Sequence, residues 1–136
     1  MSHWLSAALF ALFSFGIWGF FTKLAINYVD SKSALIFQTL GVAMVGLTAL
    51  VLMNFKPATD IKGIFFATLT GVAYGIGCLF YFIAADKGKI ITVVTLTALY
   101  PLVTILFAYL FLKEGIHLKQ CLGILFALIA IYLFAT

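Results

Sequence analysis

From Ile90 to Leu112 the chain reads IITVVTLTALYPLVTILFAYLFL, with no charged residue. About twenty apolar residues in a row are what one helical crossing of a bilayer requires. Four more long apolar runs accompany this one, at about residues 4–28, 33–53, 63–85 and 118–135. In hydrocarbon every backbone N–H and C=O must be paired internally, so only helices or closed barrels can span. Barrel strands alternate apolar and polar over roughly ten residues, whereas these runs are continuous. The expected fold class is therefore all-α: a polytopic membrane protein with five transmembrane helices in one bundle.

The composition agrees. Of 136 residues, 65% are hydrophobic and 9% charged, against about a quarter charged in soluble domains. The connections NYVDSKS, NFKPATDIK, DKGK and KEGIHLK are short and hold every acid: Asp30, Asp60, Asp86 and Glu114. Nothing is left over for a second domain, so residues 1–136 are expected to form one. The first run lacks the basic start of a signal peptide and is longer than a signal core, which implies a retained first helix.

The net charge of +4 is eight lysines against four acids, with no arginine and no basic run or stripe, so nucleic acid is not an expected partner. Cys78 and Cys121 fall inside apolar runs and read as packing residues. His3 and His117 lie at a terminus and in a connection, with no ligand-spaced partner. No glycine-rich phosphate loop is present. An enzyme, a metal site and a cofactor are accordingly not expected.

Five spans put the two ends of the chain on opposite faces. Lysines in short connections normally decide which face is cytoplasmic. Lys56, Lys62, Lys113 and Lys119 stand on one side; Lys32, Lys87 and Lys89, with Lys23 near them, stand on the other. The bias is close to nil. Either other features orient the chain, or it inserts both ways and pairs antiparallel with itself.

Candidate cavity residues follow from helical periodicity at 100° per residue. Gly71, Tyr74, Cys78 and Tyr81 share a face of the third span; Gln38, Gly41 and Thr48 share one of the second. Thr97, Tyr100 and Thr104 share one of the fourth. Each stripe serves equally for close helix packing, although three buried phenols favour a lined cavity. Lys23, inside the first span, either snorkels to the interface or faces a wet cavity. By the same count Gly16 and Gly19 lie with Lys23, and Trp18 lies opposite with Ser14 and Thr22. Gly123, Ala127 and Ala130 form a small-residue stripe on the last span. That stripe suits contact with a second copy or within the bundle. Pro101 cannot donate to the Thr97 carbonyl, so the fourth span is expected to stay helical with a kink facing inward.

The segment LTALYPLVTILFAYLFLKEGIHLKQCLGILFALIAIYLF, with Leu99-Tyr100-Pro101, Thr104, Glu114, Gln120 and Gly123, resembles the closing helices of an EamA-type repeat of the drug/metabolite transporter superfamily. GIWGFFTKLA and FIAADKGKIITVVTLTALYP resemble its opening helix and its third-to-fourth junction. The resemblance covers the whole chain and is to single-repeat, five-helix members, each equivalent to one half of an inverted pair. It implies a secondary transporter subunit moving small organic metabolites or drugs across the cell membrane as an antiparallel homodimer. Related four-helix multidrug exporters use a glutamate in the first helix. Here that helix has no acid, which leaves proton-coupled export as the weaker alternative. A non-transporting subunit of a larger complex is the other.

Overall fold

The computed structural model describes residues 3–115 and 117–135. The ends of the expected domain, and Ile116 in the KEGIHLK connection, lie outside the described residues. Six α-helices occur among the described residues: α1 His3–Ala25, α2 Ser31–Leu52, α3 Ile61–Lys87, α4 Ile90–Thr97, α5 Tyr100–Phe107 and α6 Leu118–Ala135. A π-helical turn, Ala108–Leu112, follows α5, and no strand is described. The fold is that of an all-α polytopic membrane protein. Four apolar stretches are long enough to cross a bilayer, the fourth being Ile90–Leu112 taken whole. The fifth, α6, has 18 residues, about 27 Å of rise.

The chain divides into two compact units, residues 1–87 and 88–136. In the first, α3 packs against both α1 and α2. Its buried residues gather at one end of the helices. They are Gly19 and Thr22 near the end of α1, Ala34 in the first turn of α2, and Cys78, Tyr81, Phe82 and Ala85 in the last turns of α3. Ala34, Cys78 and Phe82 form the centre, with Trp18, Ile26, Val29 and Leu35 packed on it. Toward the other end the side chains are exposed, as Phe10, Leu52 and Ile61 show. Exposure of such residues is costly in water and costs nothing in lipid.

Chain turns are built by local chemistry. Asp30 caps α2, accepting from the Lys32 and Ser33 amides and from the Ser33 hydroxyl at 2.6 Å. Asp60 accepts from the Gly63 amide at 2.8 Å and caps α3 in the same way. At the end of α2, Phe55 N–H bonds Leu50 C=O and Asn54 N–H bonds Val51 C=O. This is a Schellman closure, with Asn54 left-handed at φ 51°. The third span is longer than expected, and Asp86 lies within the last turn of α3 rather than in a connection.

The second unit corrects one expectation. The fourth span is not a single kinked helix. It breaks at Ala98 and Leu99, where Leu99 N–H bonds Leu96 C=O and Leu102 N–H bonds Leu99 C=O. These three-residue closures tighten the chain, and Pro101 falls in the first turn of α5. There proline lacks only an amide that the helix leaves unpaired in any case, and its fixed φ suits helix entry. Pro101 therefore starts a helix. The π turn ends at Lys113, left-handed at φ 55°. His117 N–H then donates to the Gln120 side chain at 2.8 Å, half of a capping box that opens α6.

Candidate functional site

Hydroxyl groups inside the spans mostly bond back to their own helix. Thr22 donates to Trp18 C=O, Thr39 to Leu35 C=O, Thr48 to Met44 C=O and Thr104 to Tyr100 C=O. Thr97 donates to Val93 C=O and Val94 C=O. Such back-bonds make a hydroxyl acceptable in hydrocarbon. Polar groups that bond across helices are therefore the informative ones.

Trp18, Gln38, Tyr74 and Lys23 do so in the first unit. Trp18 Nε1 on α1 donates to Gln38 Oε1 on α2 at 2.8 Å, and Gln38 Nε2 points to the Tyr74 hydroxyl on α3 at 3.5 Å. The Trp18 and Tyr81 rings stack at 4.6 Å with a 38° tilt. One layer thus ties α1, α2 and α3 together through Trp18, Gln38, Tyr74 and Tyr81. Beside it lies a cleft of about 230 Å³ between α2 and α3, with Gln38, Thr39 and Tyr74 as its polar lining. Leu35 and Val42 are its apolar walls, and Gly71 and Gly75 leave its α3 side without side chains. Cys78 sits one turn below Tyr74, buried in the core.

Lys23 lies on the closed side of this layer. Its Nζ donates to Ala85 C=O at 2.7 Å, among the last carbonyls of α3, which have no partner within their own helix. A cation there also complements the helix dipole. Lys23 thus lies outside the lining of this cleft and closes the end of a neighbouring helix. This corrects the expected opposition of Trp18 and Lys23. The two are separated by about 140° on the helical wheel, and buried Gly19 and Thr22 fall between them. Both therefore flank one broad packed face.

In the second unit a larger cleft, about 420 Å³, is lined by Pro101, Tyr109, Glu114, Gln120, Gly123 and Ala127 among others. Pro101 thus faces the cleft. Gly123 and Ala127, singled out for contact with another copy, border it too, and Ala130 does not. Thr97, Tyr100 and Thr104 lie outside its lining, and Tyr100 is exposed. The break at Ala98 and Leu99 resets the helical phase on which that stripe was counted. Thr39 and Gly75 were missed in the sequence, although Gly71 and Gly75 stand one turn apart on the face of Tyr74. No group of three or more metal-ligating side chains occurs among the described residues.

The chain matches the family model of the EamA-like transporter family over residues 2–136. It belongs to that family. This EamA protein is thus a multi-pass membrane protein of a transporter family. It is 36% identical over 123 residues to an uncharacterised protein of Methanocaldococcus jannaschii, covering 88% of this chain and 86% of that one. It is 31% identical over 96 residues to the glucose uptake protein of Staphylococcus xylosus, covering 71% of this chain and 32% of the relative. A transporter of Synechocystis is 38% identical over 68 residues, covering 50% of this chain and 20% of its own. Against these last two the matched region is a third or less of the relative's length. No solved structure is matched.

Proposed function

We propose that this EamA protein is a secondary transporter subunit that moves small organic metabolites or drugs by alternating access in the cell membrane. Its working unit on this reading is an antiparallel homodimer, each copy supplying one half of an inverted pair. The observation that carries the transport reading is the cross-helix layer of Trp18, Gln38, Tyr74 and Tyr81 over an open cleft. Polar side chains that bond between helices, next to unfilled space and level with the end of a packed core, are what a solute site inside a bundle needs. The relative in Staphylococcus xylosus is named for glucose uptake, which places sugars among the metabolites to test first. The near-equal lysine count on the two faces supports dual insertion.

Reconstitution of the purified chain in vesicles tests the proposal. A metabolite gradient should drive uptake without ATP, and Gln38→Ala should reduce it while leaving assembly intact. A chain that moves no solute and is stable only with a foreign membrane partner would instead be a non-transporting subunit.

A further inference from the structure

The direction of the Gln38 amide is set by its neighbour. Indole Nε1 is a donor only, so the Gln38 atom 2.8 Å from it must be the oxygen. The amide nitrogen is thereby turned toward Tyr74 and the cleft. Nε2 carries two protons, and its approach to the Tyr74 oxygen is long at 3.5 Å. The Tyr74 hydroxyl also hydrogen-bonds the Cys78 side chain, one turn along α3, while the Thr39 hydroxyl donates to Leu35 C=O. The cleft therefore presents the Gln38 amide N–H as a donor, beside the hydroxyl oxygens of Tyr74 and Thr39. No charged side chain lines it, and the nearby cation, Lys23, is held on Ala85 C=O.

We infer that Gln38 sets the selectivity of this cleft, and that the cleft takes uncharged solutes rich in acceptor oxygens, hydroxyl and carbonyl compounds of which a hexose is representative. An ammonium group would meet the Gln38 amide donor and no counter-charge. A carboxylate would find donors but no cation to offset its lost hydration. A neutral polyol loses less on leaving water, and its hydroxyls can accept from the Gln38 amide and donate to the Tyr74 and Thr39 oxygens. The inference rests on the transport reading for its cargo, but it is a statement about binding and can fail separately.

The test uses the full chain carrying Trp4→Phe, which leaves Trp18 as the single indole. Glucose, glucosamine and glucuronate share a ring and differ in charge. Trp18 emission reads binding in detergent, and vesicle uptake reads transport. Glucose should be preferred over both charged analogues by about tenfold or more. Gln38→Glu keeps an oxygen for Trp18 and replaces the donor with a carboxylate. It should lower the glucose response by about tenfold and move glucosamine ahead of it. Gly75→Ala, with nothing within 4 Å of its new methyl group, should fold normally and weaken glucose without altering the charge order. Equal or better binding of a charged analogue overturns the inference. So does the absence of any response, or an unchanged ranking in a folded Gln38→Glu protein. Ranked binding without uptake sinks the transport reading and leaves this one standing; uptake indifferent to charge does the reverse.

Discussion

Lys23 is a charge inside an apolar helix, and its position is accounted for by one bond, from Nζ to Ala85 C=O. Removing the ammonium leaves a buried helix-terminal carbonyl without its partner. Lys23→Met should therefore lower stability by about 1–2 kcal/mol, read as a shift in thermal unfolding in detergent. Lys87→Met, which removes a lysine in the last turn of the same helix, is the control; an equal shift there would show that the contact carries no special weight. Asp30 gives a pH-dependent counterpart. The Ser33 hydroxyl, then the Ser33 and Lys32 amides, hold its carboxyl below the ordinary value of 3.8. The folded chain thus binds this proton less readily than the unfolded one. The contribution is present above the unfolded value and is lost as pH falls through the lower folded value. Asp30→Asn should flatten the stability profile below about pH 4 and leave its slope unchanged near neutrality; a profile identical to the parent's would remove the cap from the account.

At the scale of the element, the fourth span carries the main lesson. Length and apolar character mark Ile90–Leu112 as a crossing, and the helical segments over that stretch are together long and apolar enough for one. Its interior differs from a kinked helix because Pro101 enters the first turn of α5, where no hydrogen bond is lost. A mid-helix proline would cost about 3 kcal/mol. Pro101→Ala should accordingly change stability by less than about 1 kcal/mol, measured by denaturant titration in detergent. A gain near the full mid-helix value would place the proline in a strained helix after all. Periodicity worked where helices are unbroken. Tyr74, Cys78 and Tyr81 fall on one side of α3, with Tyr81 stacked on Trp18 and Cys78 in the core. It does not carry from Thr97 on α4 to Tyr100 and Thr104 on α5, because angular counting assumes a continuous helix and the turn at Ala98 and Leu99 interrupts it.

At the scale of the whole molecule, the antiparallel homodimer makes a topological prediction. Reporters in the connection between α2 and α3 and after α6 should each be found on both faces of the membrane in one preparation. A single orientation for the whole population would exclude that assembly. The sequence by itself determined the solvent, the helical class, the family and most crossings, because backbone satisfaction in hydrocarbon admits few structures and apolar length alone selects among them. It also marked Trp18, Gln38 and Tyr74 as candidates, since a polar side chain in an apolar run is conspicuous. It could not say which of them meet. The pairing of Trp18 with Gln38, the seat of Lys23 on Ala85 and the place of Pro101 at a helix start were decided by tertiary structure. Each depends on the axial register of one helix against another or on a local change in helical phase. Residue spacing within one helix carries no information about either.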